Sequence, residues 1–184
     1  MTKICTNEKT AARQRWVENG LMELMQTFRF EDITATDLCR YLNLPRRSFY
    51  QYFSDMEDVL DCLINHTFQD MAIADTGLTV EELEKYYEFW FCHKSLLNAL
   101  DYSGMHSKIA EYAMRYTNTE SLKKYLPTHA SGMDLSKEMN LFVISGLASL
   151  MISWHADGFQ KTPHQMACIA YRMLSEPLLI PTQK

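Results

Sequence analysis

The feature that most limits the fold of this chain is the spacing of its apolar residues, which recur every three to four positions along nearly the whole sequence. Val17, Leu21, Leu24 and Phe28 form one such stripe. This period is typical of amphipathic helices that bury one face. No segment shows the apolar and polar alternation of a strand, so the sequence predicts an all-α protein of about eight or nine helices.

Capping patterns indicate where several of these helices begin and end. Ser54 to Glu57 and Thr79 to Glu82 both have the S/T-x-x-E form of a capping box. Thr162 to Gln165 combines an N-cap residue, a proline at the first helical position and a glutamine three residues after the cap. A long helix is predicted over 135–157, where Gly158 is suited to end it.

Composition excludes several classes of protein. The chain has 184 residues, 47% hydrophobic and 22% charged, which is too apolar for a disordered protein. Its most apolar run, Leu141 to Trp154, is shorter than the roughly 20 residues of a membrane-spanning helix. The polar stretch Met1 to Thr10 does not resemble a secretory signal. Five widely spaced cysteines without a C-x-x-C pair predict buried free thiols in a cytoplasmic protein.

The segment between Thr34 and Phe53 predicts a helix-turn-helix. Thr34 is suited to cap a first short helix, and Asn43 with Leu44 forms a turn. Pro45 is expected at the first position of a second short helix that reaches Phe53. In this arrangement the second helix enters the major groove of DNA.

The residue types of this segment suit DNA. Arg46 and Arg47 stand at the start of the second helix. Positive charge is mildly unfavourable at a helix N-terminus, so two arginines there indicate a function in binding rather than a merely solvated helix start. Arginine can form paired hydrogen bonds with guanine or phosphate. Phe49 and Phe53 are expected to point inward as anchors. The side chains expected to contact DNA are Thr34, Thr36, Arg46, Arg47, Ser48, Tyr50, Gln51 and Tyr52.

The stretches Phe30 to Thr34 and Phe49 to Leu60 resemble the DNA-binding domain of the TetR (tetracycline-repressor-like) family of transcriptional regulators. The resemblance covers about the first 70 residues. It implies a DNA-binding domain at 1–54, a linking fourth helix at 55–74, and a helical body at 75–184 that dimerises and binds an effector. Within that body the two last helices resemble, more weakly, the pair that forms the family's dimer interface.

Two positions depart from the family pattern. Asn43 stands in the turn where the family usually has glycine, and asparagine tolerates the left-handed conformation that this turn needs. Met56 stands where the family often has a lysine that contacts phosphate, so one backbone contact is expected to be missing.

The net charge of −5 conceals an uneven distribution. Residues 1–53 contain eight Lys and Arg against six Asp and Glu, a net charge of +2, whereas residues 54–184 contain ten against seventeen, a net charge of −7. The basic share therefore lies in the segment that is expected to bind DNA.

The body contains many aromatic residues and most of the twelve methionines, as an adaptable apolar pocket would. An ordinary core is the alternative for each of these residues. The resemblance to the TetR family implies which helices of the body bind ligands. The residues on those helices that are expected to line an effector pocket are Trp90, Tyr112, Tyr116 and Phe142. Small residues at Ser145, Ser149 and Ser153 fit either packing within the chain or a dimer seam.

No catalytic constellation, phosphate loop or metal-ligand spacing is present, so neither an enzyme nor a cofactor or metal is expected. The sequence favours a dimeric repressor that binds a palindromic operator in double-stranded DNA and is released by a small apolar or aromatic effector. The alternative is an activator or co-regulator whose body binds a partner protein. No membrane association is expected.

Overall fold

The computed structural model describes residues 8–71, 78–116 and 136–175, and these form an all-α fold without strands, as predicted. The 3₁₀ turn Phe30–Asp32 follows the first helix. The helices are α1 Glu8–Leu24, α2 Ala35–Tyr41, α3 Arg46–Tyr52, α4 Met56–Asp70, α5 Val80–Cys92, α6 Lys94–Tyr102, α7 Ser107–Tyr116, α8 Ser136–Ala156 and α9 Pro163–Ser175.

The described residues divide into two compact units. The first contains the chain up to Asp70 together with Ser95–Lys108, and the second contains the remaining described residues, in Met71–Lys94 and from Ile109 onward. None of the helices in the described ranges is long and apolar enough to cross a membrane.

Two of the predicted caps are confirmed. Thr79 precedes α5 and forms a complete capping box with Glu82. Thr162 precedes α9, where its hydroxyl accepts the Gln165 N–H at 3.2 Å and the Gln165 side chain accepts the Thr162 N–H at 2.9 Å. Both were predictable because a cap depends only on residues within one helical turn.

The capping box predicted from Ser54 to Glu57 is wrong by one residue. The Asp55 carboxylate accepts the Asp58 N–H at 2.8 Å, and the Asp58 carboxylate accepts the Ser54 N–H at 2.9 Å. Aspartate caps a helix as well as serine does, so the acidic neighbour displaces the predicted pair. Glu57 is left to pair with Lys108, whose Nζ lies 2.8 Å from its carboxylate.

In the first unit α1 packs against α2 and α4. Val17, Leu21 and Met25 are fully buried there. The prediction that Phe28 belongs to this stripe is wrong. Because α1 ends at Leu24, the helical period does not extend to Phe28, which is 52% exposed.

A glycine permits the close approach of α1 and α2. A Cβ atom on Gly20 would lie 2.6 Å from Cδ2 and 2.9 Å from Cγ of Leu42. These distances are shorter than ordinary van der Waals contact, so a larger residue at this position requires the Leu42 side chain to move. Close packing explains why glycine stands here although it weakens a helix interior.

A buried histidine–carboxylate contact also joins α1 to α4. His66 Nδ1 lies 2.9 Å from both carboxylate oxygens of Glu18, and the two side chains are only 6% and 1% exposed. Buried polar groups are rarely tolerated without such a partner. The pair holds α4, the helix that follows the helix-turn-helix, against α1.

In the second unit α5 packs against α9, and aromatic rings link α5 to α8. The Tyr87 and Trp154 rings meet edge to face with centroids 5.6 Å apart. Trp154 Nε1 donates to the Lys161 carbonyl at 2.9 Å, which ties α8 to the turn before α9. Gly158 in that turn has a φ of +68°, as expected for the residue that ends a helix.

Candidate functional site

The connection between α2 and α3 has the geometry of a helix-turn-helix. Asn43 adopts a φ of 49°, the left-handed conformation predicted for this turn. The Leu44 N–H then donates to the Cys39 carbonyl at 2.8 Å and closes the end of α2. Pro45 is the N-cap of α3 rather than its first helical residue, because its ψ of 133° is extended, and the helix begins at Arg46.

The aromatic residues of α3 separate its two faces. Phe49 and Phe53 are 0% and 2% exposed, which confirms that they point inward. Their rings contact each other with centroids 5.7 Å apart. This anchor turns the opposite face of α3 outward, and the exposed residues of that face are Arg46, Arg47, Tyr50 and Gln51.

The exposed face of α3 is cationic and its cations are not neutralised. Arg46 Nη2 donates to Tyr50 Oη at 3.3 Å, and this bond raises the pKa of Arg46 above its ordinary value. Among the described residues neither Arg46 nor Arg47 forms an ion pair with a carboxylate, and α3 itself contains no acidic residue.

Three other arginines of the first unit are paired with carboxylates, whereas Arg13 lies over the Trp16 ring, 4.4 Å from its centre. Arg15 lies 2.7 Å from Asp70, Arg29 lies 3.3 Å from Glu31, and Arg40 lies 3.3 Å from Asp37. Each of these pairs occupies part of the donors of its arginine with a carboxylate. Arg46 and Arg47 have no such carboxylate among the described residues, so their donors are available to an external anion.

Thr34 is the N-cap of α2, which confirms the predicted cap, and its capping-box partner Asp37 is the residue that the sequence interpretation missed. The Asp37 carboxylate accepts from both the Thr34 hydroxyl and its backbone N–H. These bonds lower the pKa of Asp37 below its ordinary value, so a negative charge stands beside the threonine. The T-x-x-D spacing was the signal for this cap.

The remaining residues expected to contact DNA lie near this face with less exposure. Ser48 and Tyr52 on α3 are partly buried, and Thr36 in the first turn of α2 is also partly buried. Tyr50 is half exposed, and its ring lies edge-on to Phe49 at 5.1 Å between centroids. The Tyr50 ring thus packs against the buried Phe49 ring, while its hydroxyl contacts Arg46 on the exposed face of α3.

The residues expected to line an effector pocket differ in their exposure. Trp90 is fully buried, with its ring against Tyr86 and Phe89. Tyr112 is also buried, and the Arg115 guanidinium lies 4.9 Å from the centre of its ring. The side chain of Tyr116 lies outside the described residues.

Phe142 disagrees with the predicted interior cavity. Its side chain is 64% exposed, whereas Val143 and Ile144, the next two residues of α8, are buried. Successive side chains on a helix point about 100° apart, so the buried pair places Phe142 on the outer side. In the single chain it faces solvent.

A buried hydroxyl next to Trp90 was not singled out from the sequence. Tyr87 is 0% exposed, and its Oη forms no hydrogen bond within the described part of the chain. Burial raises its pKa, so the phenol stays neutral and can donate. Periodicity alone marks Tyr87 as core and does not show that its hydroxyl is unsatisfied.

The described ranges contain no group of three His, Cys, Asp or Glu side chains that could hold a metal ion. The four described cysteines are free thiols, as predicted, and Cys39 and Cys62 are buried. The prediction of burial is wrong for Cys92, which is exposed, and for Cys168, which is partly exposed. Cys5 lies outside the described residues.

Comparison with known proteins shows the fold. No family model and no curated protein sequence matches the chain. A solved structure titled "Dihydroxyacetone kinase operon activator DhaS" matches with a TM-score of 0.63 and 16% identity over 88% of this chain and 93% of that one. A second, of fatty acid degradation regulator FadR from Bacillus halodurans, matches with a TM-score of 0.60 and 16% identity over 95% and 98%. The chain therefore has an all-α fold shared with these two proteins over nearly their whole length.

Proposed function

We propose that this protein is a sequence-specific DNA-binding transcription regulator of the TetR type. The observation that carries the proposal is the pair Arg46 and Arg47, exposed and free of carboxylates at the start of the second helix of a helix-turn-helix. DNA is the partner whose groove and phosphates this helix geometry fits. The local charge explains how a chain with a net charge of −5 binds a polyanion.

The two structural neighbours support regulation rather than catalysis. One is named an operon activator and the other a regulator of fatty acid degradation. One of them is named an activator and the name of the other gives no sign, so the neighbours do not decide the sign of regulation. We favour the repressor, with the activator that binds a partner protein as the alternative.

A homodimer is the proposed binding form, and the outer face of α8 supports it. Leu141 and Phe142 are 51% and 64% exposed on this face. Ser149 and Ser153 are exposed on the same helix, so the small-residue stripe faces outward rather than into the chain. Small side chains let a second helix approach closely, and burying an exposed leucine or phenylalanine contributes about 1.5–3 kcal/mol.

Tyr87 supports the proposal of a small-molecule effector. A buried hydroxyl without a partner costs about 1–3 kcal/mol, so a ligand that accepts its hydrogen bond would bind favourably there. The surroundings are apolar and aromatic, including Trp90 on the same helix and Trp154 on α8. We expect an apolar or aromatic effector with one hydrogen-bond acceptor.

Selection from a pool of random DNA duplexes tests the DNA-binding proposal without knowledge of the operator. The wild-type protein is expected to enrich an inverted repeat, because a two-fold dimer presents two copies of α3. A variant with both Arg46→Ala and Arg47→Ala is expected to enrich nothing above background. Failure of the wild type to enrich any sequence would overturn the proposal.

A further inference from the structure

Three side chains from α5 and α9 form a connected row in the second unit. The Cys168 Sγ lies 3.6 Å from His164 Nε2, and His164 Nδ1 lies 2.8 Å from the Glu84 carboxylate. His164 and Cys168 are one turn apart on α9, so they share a face of that helix. Glu84 reaches the imidazole from α5, which packs against α9.

The three groups are arranged as a nucleophile, its general base and a group that orients the base: the Cys168 thiol, the His164 imidazole and the Glu84 carboxylate. Because the Glu84 carboxylate can only accept, it holds the proton of the neutral imidazole on Nδ1. Nε2 then presents its lone pair to the thiol. The thiol can pass its proton to Nε2, and the imidazolium that forms stays paired with Glu84.

The row is open to solvent. The His164 and Glu84 side chains are 59% and 32% exposed, and Cys168 is partly exposed. Cys92 offers a useful contrast, because it is more exposed than Cys168 while its neighbour His93 bonds through Nδ1 to the Phe89 carbonyl at 2.8 Å. Exposure alone therefore favours reaction at Cys92, and base assistance favours Cys168.

We propose that Cys168 is a site of covalent modification by soft electrophiles of the α,β-unsaturated carbonyl class. The Cys168 sulfur attacks the β-carbon as its proton moves to His164 Nε2. A carbon–sulfur bond forms, the carbon–carbon π bond breaks, and the electron pair moves to the carbonyl as an enolate. The proton then returns to the α-carbon, which leaves a neutral thioether and needs no oxidant or leaving group.

Because α9 packs against α5 at the Glu84–His164 pair, an adduct on Cys168 adds bulk beside this helix contact. The site is independent of the DNA-binding proposal, since it lies on helices other than α2 and α3. Its reactivity can be measured without DNA.

Limited labelling of the folded protein with N-ethylmaleimide, followed by peptide mapping, tests the assignment. Cys168 is expected to react several times faster than Cys92, although Cys92 is more exposed. His164→Gln is expected to slow labelling of Cys168 by about tenfold, a modest share of what general-base assistance achieves in enclosed sites. Glu84→Gln is expected to slow it less.

Labelling of Cys92 serves as the internal reference for folding in every variant. His106→Gln is the matched control, because it removes an exposed histidine from the first unit and should leave both rates unchanged. Faster labelling of Cys92 than of Cys168 in the wild type, or an unchanged Cys168 rate in His164→Gln, would overturn the proposal.

Discussion

The Arg46 guanidinium donates to the Tyr50 hydroxyl at 3.3 Å, one turn along α3, and lies 5.9 Å from the centre of the Tyr50 ring. The contact holds the Arg46 side chain along the helix, while Arg47 forms no ion pair with a carboxylate in the described part of the chain. The two arginines therefore differ in orientation: the contact with Tyr50 orients the Arg46 side chain, and among the described residues no such contact orients Arg47.

Tyr50→Phe is expected to weaken binding to the selected operator by about 0.5–1.5 kcal/mol, the usual contribution of one hydrogen bond. The change keeps the ring against Phe49 and removes only the hydroxyl that orients Arg46. Fluorescence anisotropy at fixed salt measures the effect. Tyr41→Phe is the matched control, because it removes an exposed hydroxyl that bonds to Glu23 at 2.5 Å. Equal losses in both variants would show that the Tyr50 hydroxyl has no special role.

Glu18→Ala is expected to lower the free energy of unfolding by about 1–3 kcal/mol, because it leaves the buried His66 imidazole without its hydrogen-bond partner. Urea denaturation measures the change. Asp70→Ala breaks the Arg15–Asp70 pair, whose side chains are 42% and 51% exposed. Exposed pairs contribute no more than about 1 kcal/mol, so this control should change little. A small effect of Glu18→Ala would mean that the buried pair is not required by the fold.

Gly20→Ala is expected to destabilise the protein despite the better helix propensity of alanine. The propensity gain is about 1 kcal/mol, whereas forcing a methyl group into the α1–α2 contact costs about 1–3 kcal/mol. A double-mutant cycle with Leu42→Ala separates the two effects. In the Leu42→Ala background the same glycine substitution should be neutral or stabilising, and a loss of stability there would contradict the packing argument.

Phe142→Lys is expected to convert the dimer to a monomer at micromolar concentration, because it replaces the most exposed apolar side chain of the proposed α8 face by a charge. Sedimentation equilibrium gives the mass directly. Tyr102→Lys is the control, since Tyr102 is 56% exposed in the first unit. A monomeric wild-type protein would show that the homodimer proposal is wrong. If Phe142→Lys remains a dimer, the interface does not lie on this face of α8.

Features that depend on neighbouring residues were predictable from the sequence. The left-handed Asn43, the inward Phe49 and Phe53, and the caps at Thr79 and Thr162 all follow from residues within about one turn. The α2–α3 arrangement is built from such local signals. For that reason the candidate DNA-binding helix could be located to within one residue.

Features that depend on distant residues could not be predicted. Glu18 and His66 are 48 positions apart, and Glu84 and His164 are 80 apart, so no local pattern indicates either pair. Phe142 was misplaced for a related reason. Periodicity shows that a helix has an apolar side, but α8 is apolar nearly all round, and its inner face is decided only by what packs against it.

The central claim is that the two arginines of α3 bind DNA, and anisotropy titration with the selected duplex tests it most directly. Arg46→Ala is expected to weaken binding by about 1–3 kcal/mol if it contacts a base, and Arg47→Ala to reduce the salt slope by about one if it contacts phosphate. Arg115→Ala, which removes an exposed arginine from the second unit, should leave affinity unchanged. Unchanged affinity in both α3 variants would contradict the assignment of α3 as the DNA-binding helix.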